Sequence, residues 1–320
     1  MSGAVQSDIL TVTLNPALDL ATHVAQVIPG PKLRCAMPRV DPGGGGVNVA
    51  RAVIKLGGVA TALVASGGAI GGQLTALLTA EGVPCVPVPV SGETRQSFAV
   101  TDDSTNAQYR FSVPGQPLAP QDADNLDAAI REHAPKDGFV VFSGSVAPGL
   151  PQDFLRRNID GLSVQSTRVI VDTSGAGLKE LIADPVTPLY LLRVDHGEAA
   201  EAAGRALTTR ADTVGFAAEI VGRGVAQTVV TGRGSEGSVL VSRDQRLFCR
   251  APMVDVKSKI GAGDAFVGAM TLSLARGDTP EVALRWGVAA ASATVGTEGT
   301  ALCDISTARS CFAGTAIETV

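Results

Sequence analysis

"FVVFSG", residues 139–144, sets four large apolar residues side by side and then stops at Ser143 and Gly144. Valine and phenylalanine favour extended chain, and the run is too short for a helix. No polar residue alternates with the apolar ones, so the strand it predicts meets water on neither face. That is the pattern of a parallel strand covered on both sides. The same pattern recurs at "ILTVTL" (9–14), "TALVAS" (61–66), "RVIVDT" (168–173), "LYLLRV" (189–194) and "TVVTG" (228–232). Helical spacing fills the intervals, over 47–57, 71–81, 121–134, 211–223, 263–276 and 280–293. Strand and helix in alternation predict a layered α/β domain around a mostly parallel sheet. No internal repeat or low-complexity linker divides the chain.

One region breaks the pattern. "RQSFAVTDDSTNAQYRFSVPG" (95–115) alternates strictly and predicts an antiparallel hairpin turning over "DDSTN". Arg95, Ser97 and Ala99 share one face with Gln108, Arg110 and Ser112. Phe98, Val100, Tyr109, Phe111 and Val113 take the other. Two arginines on one face suit either an anionic ligand or a solvated surface. The apolar face needs cover, which a second subunit would provide.

Composition narrows the function classes. The chain has 320 residues, 45% hydrophobic and 18% charged, enough to bury a large core. A net charge of −5 leaves no basic footprint for nucleic acid. The opening "MSGAVQSDILTVTL" lacks the basic and long apolar regions of a signal peptide, and no run of eighteen apolar residues predicts a membrane span. Five scattered cysteines, none in a CxxC pair, read as reduced thiols of a cytoplasmic protein. Three distant histidines make no metal constellation.

Glycine is abundant, 37 of 320 residues or about 12% against an ordinary ~7%. Four glycines stand together in "DPGGGGVNVARAVIKLGG" (41–58), at the start of a predicted helix. Their bare backbone lets a ligand reach N–H groups at a helix N-terminus, and Asn48 adds an amide that both donates and accepts. A flexible turn is the plainer reading of the same glycines. No GK[ST] follows, so the run is not a Walker loop, and the spacing is not that of a dinucleotide fold.

"KIGAGDAFVGAM" (259–270) raises a second question, because Asp264 is its only acidic residue and a segment fit for a protein interior follows. Such a helix buries its own N-terminus. Gly261, Ala262 and Gly263 would then present free N–H groups where negative charge develops, with Asp264 placed to take a proton from an attacking hydroxyl. An ordinary N-cap aspartate is the competing reading.

Taken together, these segments resemble the PfkB-type, ribokinase-like sugar kinases, closest to the minor ATP-dependent 6-phosphofructokinases. The resemblance runs from "TVTLNPALD" (11–19) to "EGTALC" (298–303) and includes "KLRC" (32–35), "PGGGGVNVAR" (42–51), "TRQ" (94–96), "QYRF" (108–111), "SGSVAPG" (143–149), "VDTSG" (171–175) and "GAGDAFVGAM" (261–270), in family order. It implies a single kinase domain over 1–320, with a small β lid formed by about 16–41 and 94–114. Asp264 matches the catalytic base, and Gly261, Ala262 and Gly263 match the anion hole. Asp19, Gly43, Gly44 and Asn48 match positions that hold sugar hydroxyls. Arg95, Arg110 and Ser145 match positions near the sugar's phosphate, and Lys32 matches a lid lysine near the reacting phosphates.

The resemblance also implies ATP and Mg²⁺ as cofactors, a cytoplasmic enzyme, a sugar-phosphate substrate and a homodimer through the lid. Gly45 stands where relatives acting on fructose 1-phosphate more often carry lysine, so fructose 6-phosphate leads. Tagatose 6-phosphate and fructose 1-phosphate are the alternatives. On the nucleotide side, "RVDHGE" (193–198) replaces the family's K-P-N-x-x-E, which puts Arg193 beside the phosphates and Asp195 and Glu198 at the metal. Gly232, Gly234 and Gly237 of "TGRGSEG" and the basic Lys259 complete that side. Gly232 replaces a hydroxyl residue and Lys259 a threonine. These departures admit either compensated charges or a non-catalytic sugar-phosphate-binding regulator. Intact Asp264 and its anion hole favour catalysis.

Overall fold

The computed structural model describes residues 6–185 and 187–320. Residues 1–5, which open the stretch read above for a leader, lie outside them. Among the described residues, fourteen strands and ten α-helices follow in order: β1 (Ile9–Thr13), β2 (Ala17–Val24), β3 (Arg39–Gly43), α1 (Gly45–Lys55), β4 (Thr61–Ser66), α2 (Gly68–Ala80), β5 (Cys85–Pro89), β6 (Arg95–Asp102), β7 (Ala107–Ser112), α3 (Pro120–His133), β8 (Phe139–Ser143), α4 (Phe154–Ser163), β9 (Arg168–Asp172), α5 (Gly175–Ala183), β10 (Leu189–Val194), α6 (His196–Ala203), α7 (Arg210–Gly222), β11 (Ala226–Gly232), β12 (Gly237–Ser242), β13 (Arg246–Arg250), α8 (Ala262–Ala275), α9 (Pro280–Val295), α10 (Ile305–Ala313) and β14 (Ala316–Thr319).

A 10-stranded sheet runs β14-β13-β12-β11-β10-β9-β8-β1-β4-β5. From β11 to β5 every pairing is parallel, whereas β12, β13 and β14 join antiparallel at one edge. The unbroken apolar runs have their reason in two cores. Phe139 and Val141 of β8 pack with α1, α2, α8 and α9 on one face of the sheet. Val140 and Phe142 pack with α3, α4, α5 and α7 on the other. Alternate side chains of one strand thus enter different cores, and polar alternation would have cost stability on either face.

The expected hairpin forms as β6 and β7, with Phe98 opposite Phe111 and Ala99 opposite Arg110. It belongs to a second, 4-stranded sheet of order β3-β2-β6-β7. Asn106, in the left-handed region at φ 56°, closes its turn. Helix α1 begins at Gly45, two residues before its expected start, so the last of the four glycines are already helical. A Cβ on Gly45 would stand 2.4 Å from the Gly144 nitrogen, and one on Gly46 would stand 2.6 Å from the Val12 carbonyl oxygen. The glycines therefore let α1 start against the ends of β8 and β1. Among the described residues no helix is long and apolar enough to cross a membrane.

Candidate active site

Helix α8 is buried at every position from Ala265 to Ala275. Its close seat against α1 depends on Gly268, where a Cβ would lie 2.8 Å from that of Ala52. The N-terminus of α8, after Gly261 at φ 74°, is half-buried from Gly261 to Asp264, so the helix leaves the interior at this end rather than burying it fully. The first N–H groups of a helix have no partner within it, so Ala262, Gly263 and Asp264 offer theirs outward.

That end opens into a cleft of about 350 Å³ lined by Asp19, Gly44, Asn48, Arg95, Arg110, Gly261 and Asp264, with Gly45, Ser97, Ser112, Gly144 and Thr300 among the rest of its wall. The floor is the C-terminal edge of the parallel strands and the roof is the small sheet. Crevices at such strand ends are the general ligand position of open α/β sheets.

Asp264 accepts a hydrogen bond from Asn48 Nδ2 at 3.0 Å. Burial pushes its carboxyl up to about 7, and Asp172 adds to the rise, against the pull of Asn48 and Arg193; Asp19 raises it further. A carboxylate near 7 is matched to accept a proton at neutral pH. Asp19 lies over Gly43, where any Cβ would stand 2.1 Å from its Oδ2. Burial raises Asp19 to about 6, while Arg95, Arg51 and Arg110 oppose the rise.

Alternation along β6 and β7 put Arg95 and Arg110 on one face, and both line the cleft. Arg95 is fixed in place. It reaches the Asn15 carbonyl at 3.4 Å, Ser112 Oγ at 3.2 Å and the Val113 carbonyl at 3.3 Å. Arg110 is exposed at the cleft's edge. Ser145 stands beside the cleft, not in its wall, where its Oγ accepts from Asn15 Nδ2 at 3.0 Å. Lys32 is exposed in the connection 25–38 and does not line the cleft.

On the far side of α8's N-terminus, Arg193 pairs with Asp172 at 3.0 Å. Its guanidinium passes Gly263, whose Cβ would be 3.1 Å from Nη1, and Gly232, whose Cβ would be 3.7 Å from Nη2. Gly263 leaves room for that cation, whereas a side chain at Gly232 would meet it only in ordinary contact. Asp195 and Glu198 form a reciprocal capping box on α6: Glu198 N–H donates to Asp195 Oδ1 at 2.8 Å, and Asp195 N–H donates to Glu198 Oε2 at 2.7 Å. Burial raises Glu198 to about 7, and the neighbouring Asp195 and Asp172 raise it further. Gly237, at φ 128°, is needed where β12 passes the Cys249 carbonyl oxygen, 1.9 Å from a would-be Cβ. Gly234 turns the chain at φ 59°, and Lys259 is exposed in the segment before α8.

Asp172 and Thr300 belong to the site as well, though neither stands out as a candidate in the sequence. Asp172 is the first charged residue at the end of a buried parallel strand, a signal open to a reader of "RVIVDT". Thr300 has no local signal; its hydroxyl donates to Asp41, far away in the chain.

The chain is similar to known phosphofructokinases. An ATP-dependent 6-phosphofructokinase isozyme 2 of Mycobacterium tuberculosis is 42% identical over 297 residues, covering 92% of this chain and 86% of that protein. The enzyme of the same name from Escherichia coli is 40% identical over 295 residues, covering 92% and 94%. The crystal structure of phosphofructokinase-2 from Escherichia coli in complex with potassium superposes with a TM-score of 0.91 at 38% identity, covering 96% of this chain and 98% of that one. The fold is thus ribokinase-like α/β. With residues 13–308 matching the family pattern from β1 through α10, the chain belongs to the pfkB family carbohydrate kinases.

Proposed function

We propose that the chain is a phosphotransferase that moves the terminal phosphoryl group of ATP to the C1 hydroxyl of fructose 6-phosphate, giving fructose 1,6-bisphosphate and ADP. The observation that carries the reading is Asp264: a carboxylate raised toward neutrality, at a half-buried helix N-terminus, in a cleft that also holds two arginines. The identity to two ATP-dependent 6-phosphofructokinases supports the choice of sugar.

In this reading Asp264 takes the proton from the C1 hydroxyl as its oxygen attacks phosphorus, and the bond to the bridging oxygen of ADP breaks. The N–H groups of Ala262, Gly263 and Asp264 meet the charge that gathers on the transferred group, where fixed dipoles act most strongly. Asp19, Gly43, Gly44 and Asn48 hold the sugar hydroxyls. Arg95 and Arg110 clamp the 6-phosphate with Ser145 nearby, and the small sheet serves as lid. Lys32 reaches the reacting phosphates only if its connection swings over the cleft. Arg193, Gly232, Gly234, Gly237 and Lys259 form the donor side.

The donor set there fits a magnesium ion. No cluster of three metal-ligating side chains exists among the described residues, and magnesium commonly takes one or two carboxylates plus phosphate and water oxygens. Asp195 and Glu198 each commit one oxygen to the capping box and keep the other. When bound, the ion neutralises charge on the donor's phosphates. Asp195→Asn should therefore raise the Mg²⁺ concentration for half-maximal rate several-fold while KM for the sugar stays put. Asparagine caps a helix as well as aspartate, so folding should not report the change. An unaltered magnesium dependence would leave Asp195 a cap alone.

A panel of sugar phosphates tests the substrate. Fructose 6-phosphate should exceed tagatose 6-phosphate and fructose 1-phosphate in kcat/KM; a preference for either of those would replace it. Tight sugar-phosphate binding without turnover would favour a regulator.

The outer face of the lid completes the proposal. Phe98, Tyr109, Phe111 and Val113 are 39%, 40%, 56% and 47% exposed on the face away from the arginines. Such a patch fits a homodimer packed lid to lid. Sedimentation should give a dimer, and a fully active monomer would exclude it.

A further inference from the structure

Arg51 is among the least exposed side chains of the protein, at 1%, yet it carries a full charge in α1. All five of its N–H groups have acceptors. Nε donates to Glu81 Oε2 and Nη2 to Glu81 Oε1, both at 2.7 Å, in a two-pronged pair with the residue that ends α2. Nη2 also reaches Asp41 Oδ1 at 3.3 Å. Nη1 donates to the Pro42 carbonyl at 3.0 Å and to Asn48 Oδ1 at 3.1 Å.

The last contact decides the orientation of an amide. Asn48 has one acceptor oxygen and one donor nitrogen on nearly equal shapes, so its own packing hardly distinguishes the two orientations. With Oδ1 engaged by Arg51, Nδ2 must face Asp264. Flipped, the amide would turn its oxygen on a carboxylate. We propose that Arg51, held by the two-pronged contact with Glu81, is a positioning residue for the catalytic base, because it fixes the Asn48 amide with its donor toward Asp264.

This rests on the reading of Asp264 as the base. It adds a line of bonded groups that starts at the half-buried Glu81, passes through the interior, and ends at the reacting proton. Other charges also face Asp264, namely Asp172 from β9, Arg193 from β10 and Asp19 from β2. The test must therefore change geometry without changing their charge.

Arg51→Lys does so, since lysine keeps the charge but cannot hold Glu81, Pro42 and Asn48 at once. With the amide released, Asp264 loses a donor and holds its proton more tightly. The acidic limb of the kcat profile should move up by about half to one pH unit, with kcat at pH 7 down roughly two- to fivefold. KM for fructose 6-phosphate should stay within about twofold. Glu81→Gln is the second variant, should the lysine enzyme fold poorly. Losing a distant negative charge would by itself move the limb down, so an upward move there reports the amide.

Wild type and Asp264→Asn are measured alongside. If Asp264→Asn loses turnover while both clamp variants keep the wild-type limb, the positioning role is overturned and the base stands. A raised KM with an unmoved limb would overturn it too, making Arg51 a support of the glycine loop through Pro42 and Asp41. If Asp264→Asn keeps its turnover, the base reading falls and the positioning role with it.

Discussion

Asp264→Asn should lose turnover and gain stability. Removing the base should lower kcat by roughly 10² to 10⁴ with little change in KM, because the sugar is held by other groups. The stability gain follows from the same burial that makes the residue useful. Its carboxyl is raised to about 7 in the folded protein, whereas in the unfolded chain it lies near the ordinary ~3.9. The folded state thus binds the proton more tightly, and folding stability falls as pH rises from about 4 to about 7, then levels off. At pH 8 the ionised group costs the full amount, on the order of 2–4 kcal/mol. At pH 4 it costs almost nothing. Asparagine still accepts from Asn48 and carries no charge to desolvate. The variant should melt several degrees higher than wild type at pH 8 and close to it at pH 4. A normal turnover would make Asp264 a helix cap, and equal melting at pH 8 would deny the burial cost.

The second large effect concerns the phosphate clamp. Arg110→Ala should weaken fructose 6-phosphate by ~1.5–3 kcal/mol, the scale of a charge-assisted hydrogen bond, or roughly 10- to 150-fold in KM. The KM for ATP should change much less. Arg110 is exposed at the cleft's edge, so its loss should leave melting nearly unchanged. Arg95→Ala should weaken the sugar to a similar extent and also cost stability, since Arg95 ties β6 to the Asn15 carbonyl and to Ser112. The pair therefore separates recognition from support. Equal losses for sugar and nucleotide would remove both arginines from the clamp.

Legibility of these features in the sequence follows from how local their causes are. The parallel strands announce themselves because each one feeds two cores, and the hairpin does so because polar and apolar residues alternate along both its strands. Strands β2 and β3 are harder to see. β3 reads "RVDPG", with a proline and a glycine that suggest a turn, yet it pairs in register with β2 through Gly43 opposite Ala17. Strands β13 and β14, the last two at one end of the large sheet, have 5 and 4 residues, and charges at Arg246, Arg250 and Glu318 interrupt any apolar run. Helices α5 and α6 are likewise short, at 9 and 8 residues.

In the site, Asp264, Asn48 and the glycines stand out because a charge before an apolar helix and a run of bare backbone are local oddities. Arg51 does not. A basic residue in a helix reads as surface, and it is buried here only because Glu81, Asp41 and Asn48 surround it once the chain is folded. The bond between Asn48 and Asp264 spans 216 positions. No spacing rule reaches that far.

The central claim is that Asp264 and the cleft beneath the small sheet transfer a phosphoryl group from ATP to the C1 hydroxyl of fructose 6-phosphate. Phosphorus NMR of the purified protein with ATP, Mg²⁺ and fructose 6-phosphate tests it most directly. The account predicts ADP and fructose 1,6-bisphosphate appearing in equal amounts, in wild type and not, on the same time scale, in Asp264→Asn. ADP formed with free phosphate and no bisphosphate, or a bisphosphate formed equally fast by the variant, would contradict it.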